Sequence, residues 1–162
     1  GYYAADLTRT YPVNGKFTKR QREVYQAVLE TQLYVESIAR PGMYLKNPKK
    51  PEESLHHLAV DYLKDLGYAE FFVHGIGHYL GLDVHDVGDY SEPLEAGDVF
   101  TIEPGIYIPR ESLGVRIEDD YVMSDEGAVC LSFELPKEAD EIEEMMARVP
   151  DFELDHLQES SL

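Results

Sequence analysis

Three of the chain's six histidines lie within the short stretch HGIGHYLGLDVHD. His74 and His78 are four residues apart, the spacing that places two zinc ligands on one helix face in the HExxH motif. Position 75 is Gly75, so the glutamate that serves as general base in that motif is absent. Gly75 and Gly77 would each cost about 1 kcal/mol inside a helix. The stretch therefore predicts irregular or extended backbone, not a helical zinc site.

Three acidic residues lie inside strand-like, largely apolar runs: Asp6 in AADLT, Glu103 in FTIEPGIYI and Glu118 in VRIEDDYV. A lone carboxylate at a half-buried strand position is costly unless it is paired or coordinates a metal. Any one of these acids alone could face solvent on the polar side of its strand. Three of them beside a glycine-rich histidine stretch favour a metal site. Oxygen ligands with one imidazole suit Mn²⁺, Co²⁺ or Zn²⁺.

Composition argues against several classes of partner. The net charge of −18 argues against nucleic acid, because phosphate recognition needs clustered Lys and Arg. No apolar run reaches the roughly 18 residues that a membrane-spanning helix needs, so no membrane partner is expected. The single cysteine, Cys130, rules out an internal disulfide framework and favours a reducing, cytoplasmic compartment. The acidic C-terminal end predicts a solvated tail, with docking of a basic protein as the alternative.

Predicted strands and helices interleave along the chain, which indicates an α/β or an α+β class. Periodicity alone does not choose between the two. The predicted elements, in order, are a strand in YYAADLTRTYPV, a helix from the cap Thr18 to about Ala39, a helix from Pro51 to Gly67, strand-like runs in DVFTIEPGIYIP and GVRIEDDYVMS, and a closing helix at about 136–147.

Four stretches resemble, in order, the catalytic domain of Xaa-Pro aminopeptidase (aminopeptidase P), of the pita-bread metallopeptidase superfamily. They are YYAADLTRTYPVNGKFTKRQREVY, HGIGHYLGLDVHDVG, VFTIEPGIYIP and GVRIEDDYVM. The resemblance implies an α+β class: the second half of a pita-bread fold, a curved antiparallel sheet flanked by helices. Residues 1–147 are then expected to form the C-terminal part of the catalytic domain and residues 148–162 an acidic tail. The rest of the catalytic domain and a separate N-terminal domain are expected upstream of Gly1.

The resemblance also implies a set of metal ligands. The family holds two divalent ions, with Mn²⁺ favoured here, through ligands in the order Asp, Asp, His, Glu, Glu. By position, Asp6 resembles the second Asp, His78 the histidine, and Glu103 and Glu118 the two glutamates, with Asp6 and Glu118 bridging the ions. The first Asp is expected upstream of Gly1. Residues 1–162 alone are therefore expected to hold one ion tightly and to hydrolyse little peptide.

The implied reaction is hydrolysis of the bond between an N-terminal residue and a following proline. A metal-bridging hydroxide attacks the carbonyl, and Glu103 carries its proton to the proline nitrogen. His74 and His85 resemble substrate-contacting histidines, and Arg116 resembles an arginine that buttresses the site. The expected partner is a peptide with proline at its second position, and a homo-oligomer is left open. Xaa-Pro dipeptidase (prolidase) and a non-catalytic binding relative remain the alternatives.

The other histidines and four further acids lie outside this ligand set. We predict a surface position for His56, His57 and His156. The four acids are expected to orient ligands or to cap turns. They are Asp83, Asp86, Asp119 and Asp120.

Overall fold

Helices and antiparallel strands build the part of the chain that the computed structural model describes, residues 1–148. Three α-helices, three short 3₁₀ turns and five strands follow one another there. The helices are α1 (Lys19–Ile38), α2 (Leu55–Asp65) and α3 (Ala139–Ala147), and the 3₁₀ turns are Pro51–Glu53, Ala69–Phe71 and Pro109–Glu111. The strands are β1 (Val99–Ile102), β2 (Gly105–Ile108), β3 (Leu113–Arg116), β4 (Asp119–Met123) and β5 (Ala128–Cys130).

The first predicted helix is confirmed at both ends. Thr18 caps α1 through a capping box, in which its hydroxyl accepts a hydrogen bond from the Gln21 amide and the Gln21 side chain accepts one from the Thr18 amide. The helix ends at Ile38, one residue before Ala39. Its fully buried side chains include Val24 and Val28, and burial of such a side chain stabilises a fold by about 1.5–3 kcal/mol. Helix α1 thereby forms one wall of the core.

The second and third helices begin later than predicted. Pro51–Glu53 forms only a 3₁₀ turn, and α2 starts at Leu55, because the backbone at Ser54 is extended and bridges to Tyr44. Helix α3 begins at Ala139 and not near residue 136, and a capping box at Glu138 marks its start. The Pro136 and Lys137 carbonyl oxygens instead accept hydrogen bonds from Arg9 and Tyr25. Hydrogen bonds to residues outside each helix thus determine the residue at which α2 and α3 begin.

The two predicted strand runs pair with each other, but each divides into two strands. Strands β1 and β4 are antiparallel, as are β2 and β3. The register is the same in both pairs: Ile102 lies opposite Asp119, and Gly105 lies opposite Arg116. Glu103 and Glu118 therefore face each other at the interruption. Pro104 follows Glu103 and has no N–H to donate, which accounts for the break in the ladder.

Two further extended segments flank this pair of strands. On one side, residues 76–80 run antiparallel to β1, with Thr101 N donating to His78 O, Glu103 N to Ile76 O and Leu80 N to Val99 O. On the other side, Thr8 bridges to Glu118. The outer segments meet where Ala4 N donates to Gly81 O. Glu103 and Glu118 therefore lie on the two inner segments, between residues 76–80 on one side and the opening segment on the other.

The prediction of a regular strand in the opening segment is wrong. Its only strand-type contact within the described residues is the bridge between Thr8 and Glu118. The other amides of the segment bond to different parts of the fold, since Ala4 N reaches Gly81 O and Asp6 N reaches the Asp120 carboxylate. A ladder needs successive bonds to one partner strand. The segment is extended but belongs to no regular strand.

The core lies between the helices and the sheet. Side chains that are completely buried there include Leu29, Leu63, Phe100, Ile106 and Tyr121. In the described part of the chain, no helix combines the length and the apolar character that crossing a membrane requires.

Candidate active site

The four predicted metal ligands lie in four adjacent extended segments of the sheet. They line one cavity of about 480 Å³. The predicted substrate-contacting residues His74, His85 and Arg116 line the same cavity. The four ligands are Asp6 in the opening segment, His78 in segment 76–80, and Glu103 and Glu118 at the interruption of the strands.

Nε2 of His78 lies among three carboxylates. It is 3.4 Å from Oδ2 of Asp6, 3.6 Å from Oε1 of Glu103 and 3.9 Å from Oε1 of Glu118. Ligand atoms of His78, Glu103 and Glu118 all lie within 4.8 Å of one another, as do those of Asp6, His78 and His85. Metal–ligand bonds to imidazole and carboxylate are about 2.0–2.2 Å long, so atoms at these separations can share one ion.

The ring orientation of His78 suits a metal ligand. Its Nδ1 lies 3.0 Å from the carbonyl oxygen of Tyr79 and donates a hydrogen bond to it. Nε2 then carries a lone pair and faces the carboxylates, and a hydrogen bond of this kind is what commonly fixes the tautomer of metal-binding histidines. The Thr101 hydroxyl also accepts a hydrogen bond from the His78 amide. Thr101 and the Tyr79 carbonyl, which are not proposed ligands, therefore hold the backbone and the ring of His78.

The three carboxylates form a crowded negative cluster. Burial, followed by repulsion from Glu118, raises the pKa of Glu103 to about 7. The Arg116 guanidinium contacts the cluster, with Nε 3.9 Å from Oε2 of Glu118. Three carboxylates and an imidazole lone pair around one point repel one another unless a cation lies between them. The donor set therefore fits a divalent ion such as Mn²⁺, Co²⁺ or Zn²⁺.

Asp6 is oriented by an acid that belongs to a neighbouring strand. Both carboxylate oxygens of Asp120 lie 3.3 Å from the backbone N of Asp6 and accept its hydrogen bond. Burial raises the pKa of Asp120 to about 6. This contact matches the expectation that Asp120 orients a ligand.

Asp86 makes a contact of the expected kind, whereas Asp119 forms ion pairs with two basic residues and, within residues 1–148, contacts neither a ligand side chain nor a turn. Asp86 accepts hydrogen bonds from the Leu82 and Val87 amides and caps a turn of the loop that follows His78. The fully buried Asp119 is paired with Arg9 and Lys137. Asp83 is exposed, and its carbonyl oxygen accepts a bond from the Gly81 amide.

The two predicted substrate-contacting histidines differ in their surroundings. His85 is exposed, and its ring meets the His78 ring edge to face at a centroid distance of 4.2 Å. His74 is half-buried, and burial lowers its pKa. Its Nδ1 bonds to the Gly75 carbonyl oxygen, whereas its Nε2 is buried without a partner among the described residues. His85 is thus open to a ligand in the cavity, and His74 has an unused acceptor.

Arg116 is anchored on both sides. Its Nη1 donates a 3.0 Å hydrogen bond to the Tyr107 hydroxyl, and its Nε lies 3.3 Å from Oγ1 of Thr8. The Tyr107 ring in turn packs against His74 at 5.5 Å. Tyr107 therefore connects two residues that line the cavity, Arg116 and His74.

Sequence reasoning missed the threonines that hold the ligands. The Thr8 hydroxyl donates a 2.6 Å hydrogen bond to Oε2 of Glu118. The buried Thr101 hydroxyl contacts both the His78 amide and Oε1 of Glu103, the latter at 3.4 Å. Threonine is common in strands for packing reasons alone, so its presence there carries no signal of such a role. Only the position of each threonine two residues from an acidic ligand points to it.

The prediction of a surface position is wrong for His56. Burial lowers its pKa to about 4, its ring packs against Phe72, and its Nδ1 is buried without a partner among the described residues. The packing of α2 over Phe72 encloses this side chain. His57 is half-buried and bonds to the Ser54 hydroxyl. His156 lies outside the described residues.

The chain is similar in sequence to several Xaa-Pro aminopeptidases. The Xaa-Pro aminopeptidase of Haemophilus influenzae is 40% identical, and the match covers 89% of this chain and 39% of that protein. Human Xaa-Pro aminopeptidase 3 is 41% identical, and the match covers 90% of this chain and 33% of that protein. The chain therefore spans between a third and two fifths of the length of these relatives.

Solved structures agree with the sequence relatives. Proline aminopeptidase P II from Yersinia pestis matches with a TM-score of 0.77 at 37% identity, over 90% of this chain and 39% of that one. Zinc-substituted Escherichia coli aminopeptidase P in complex with product matches with a TM-score of 0.75 at 38% identity, over 90% of this chain and 38% of that one. These matches confirm the expected α+β, pita-bread fold. The sequence model of metallopeptidase family M24 matches residues 1–125, and the chain therefore belongs to this family.

Proposed function

We propose that this chain supplies the metal-binding and proton-transfer residues of a Xaa-Pro aminopeptidase. The enzyme hydrolyses the bond between an N-terminal residue and a following proline. The observation that supports this most directly is the cluster of Asp6, Glu103 and Glu118 around Nε2 of His78, in a chain of family M24. The similarity to Xaa-Pro aminopeptidases favours proline specificity within that family.

Each ligand has a defined part in the proposed site. His78 presents one nitrogen, and Glu103 presents a carboxylate beside it. By the resemblance to the family's ligand order, Asp6 and Glu118 would be the carboxylates shared between two ions, and both lie near Nε2 of His78. Divalent ions held there, with Mn²⁺ the proposed metal, supply Lewis acidity that polarises the scissile carbonyl and makes water nucleophilic near neutral pH.

The protein's own groups complete the chemistry. Glu103 accepts the proton of the attacking water and delivers it to the proline nitrogen as the C–N bond breaks. Its carboxylate suits this part because it lies in the cavity and only 17% of its side chain is exposed. His85, exposed in the same cavity, donates a hydrogen bond to the substrate and stabilises the charge that develops on it. His74, which lines the same cavity, also contacts the substrate, and Arg116 holds Glu118 in place.

A peptide assay tests the proposal on the whole protein in which these residues occur. With Mn²⁺ present, a Xaa-Pro-Yaa tripeptide is expected to release its N-terminal residue, and a chelator is expected to stop the release. A Xaa-Ala-Yaa tripeptide serves as the control for proline specificity. Cleavage of the Xaa-Pro dipeptide with little cleavage of the tripeptide would identify a dipeptidase instead. Cleavage of neither, by protein that binds Mn²⁺, would favour a non-catalytic binding protein.

The remaining expectations are part of the same proposal. The cytoplasm is the proposed compartment, on the basis of the single cysteine. The partner is a peptide with a free amino terminus and proline at its second position. Residues 1–147 are proposed as the C-terminal part of the catalytic domain.

A further inference from the structure

Arg9 lies at the point where the opening segment meets Glu118. Its Nη1 donates a 2.8 Å hydrogen bond to the backbone oxygen of Glu118 and a 3.0 Å bond to the backbone oxygen of Thr8. These two oxygens are also the acceptors of the bridge itself, since Thr8 N donates to Glu118 O and Glu118 N to Thr8 O. The guanidinium therefore contacts both ends of the bridge that holds the opening segment against β4.

This contact matters because the opening segment has no ladder of its own. A regular strand would be held in register by several successive backbone bonds, but Thr8 supplies the only bridge in this segment. Asp6 is two residues from Thr8, and its position relative to Glu118 depends on that bridge together with the bond from its own amide to Asp120. Arg9 supplies the fixation that the missing ladder does not.

Further hydrogen bonds, to groups outside the bridge, hold the Arg9 guanidinium in place. Its Nη2 donates a 2.6 Å hydrogen bond to Oδ1 of Asp119, and Nε donates a 2.8 Å bond to the Pro136 carbonyl oxygen. Only 8% of the Arg9 side chain and none of the Asp119 side chain is exposed. A buried charge pair with all its donors used has little freedom to move. Asp119 is also the neighbour of Glu118 along the chain, so the pair holds Glu118 from two directions.

We propose that Arg9 is a positioning residue for the metal site, which sets the separation between Asp6 and Glu118 by clamping the bridge between Thr8 and Glu118. This inference rests on the proposed binding of a divalent ion by these carboxylates. Arg9 lies outside the proposed ligand set and is not among the residues that line the cavity. It acts on the proposed ligands through the backbone oxygens of Thr8 and Glu118.

Lys137 provides a matched control in the same network. It donates to Oδ2 of the same Asp119 at 3.1 Å, and its side chain is also largely buried, but its other bond is to Gln32 and not to the opening segment. Lys137→Met therefore removes a charge from Asp119 without releasing the bridge. Arg9→Lys keeps the charge but loses the planar fork of donors that reaches both carbonyl oxygens.

The test measures Mn²⁺ affinity by isothermal titration calorimetry and the melting temperature without metal, for the parent chain and for R9K, R9Q and K137M. We expect R9K and R9Q to bind Mn²⁺ at least tenfold more weakly than the parent. K137M is expected to lower the melting temperature by a similar amount yet to keep its affinity within about twofold. Because R9K retains the charge opposite Asp119, it provides the affinity reading if R9Q fails to fold.

The outcomes separate the inference from the proposed function. If the parent chain binds no Mn²⁺, the proposed metal site itself is wrong. If the parent binds and R9K binds equally well, Arg9 does not position the site. If affinity falls in R9K and K137M alike, in proportion to their loss of stability, Arg9 contributes only to folding and the inference fails.

Discussion

The Thr8 hydroxyl donates a 2.6 Å hydrogen bond to Oε2 of Glu118, while Oε1 of the same carboxylate faces Nε2 of His78 at 3.9 Å. One oxygen of Glu118 is thus anchored to a neighbouring segment and the other is directed at the proposed metal. The carboxylate cannot rotate without breaking this bond. The metal site therefore includes a hydroxyl that is not itself a ligand.

Thr8→Val removes this hydroxyl without changing the shape of the side chain. A hydrogen bond of this kind contributes on the order of 1 kcal/mol, so we expect Mn²⁺ affinity to fall about fivefold. Thr10→Val is the matched control, because the Thr10 hydroxyl bonds only to the backbone of Arg116. Calorimetric titration of both variants checks the prediction. Equal affinity in T8V and the parent would remove Thr8 from the site.

Glu103→Gln is expected to abolish peptidase activity of the whole protein while preserving the fold. An amide cannot carry a proton from water to the leaving nitrogen, and loss of general acid–base catalysis costs about 10²–10⁴-fold in rate. Steady-state hydrolysis of a Xaa-Pro-Yaa tripeptide measures the loss, with circular dichroism as the check on folding. Glu111→Gln, at an exposed carboxylate paired with Arg20, is the control. Turnover near the parent rate in E103Q would contradict the role of Glu103.

Residues 1–162 are expected to bind one divalent ion tightly and a second only weakly. His78 offers a single coordinating nitrogen, because Nδ1 is used by the Tyr79 carbonyl oxygen. A second ion is left with only the two proposed bridging carboxylates, Asp6 and Glu118. Titration of the chain with Mn²⁺ measures the stoichiometry. Two equally tight sites would show that these residues form a complete binuclear centre.

His56 is expected to destabilise the fold in acid. Burial lowers its pKa to about 4, from 6.5 in the unfolded chain, so the unfolded state binds more protons between these values. Its contribution to stability is complete above pH 6.5 and is lost as the pH falls towards 4. Because solvent screens part of this effect, the contribution of His56 to the free energy of unfolding is on the order of 1 kcal/mol.

Urea unfolding of the parent, H56L and H57Q at pH 7 and pH 4.5 checks this prediction. H56L is expected to lose less free energy of unfolding between the two pH values than the parent loses. H57Q controls for removal of a histidine from the same helix. A pH dependence in H56L as steep as that of the parent would assign the effect to other groups.

The sequence predicted the convergence of the four proposed ligands in one cavity better than it predicted the strands that carry them. The acids in apolar runs and the glycine-rich histidine stretch pointed to a metal cluster, and the family resemblance supplied its ligand set. The division of the two strand runs at Glu103 and Glu118 was not predicted, although Pro104 lacks the N–H that a continuous ladder needs. The opening segment has strand-like composition, but composition cannot show that Ala4 and Asp6 bond to different partners. Such choices depend on contacts between residues far apart in the chain.

The pairing of residues 76–80 with β1 limits where this chain can tolerate insertions and deletions. Side chains alternate between the two faces of an extended segment, so a slip of one residue turns each of them to the opposite face. A single inserted residue between Ile76 and His78 would direct the imidazole away from Glu103. The same insertion in the largely exposed loop at 82–92 would leave the pairing, and with it the cluster, unchanged. Insertions and deletions compatible with metal binding should therefore be found in the loop at 82–92 and be absent from residues 76–80.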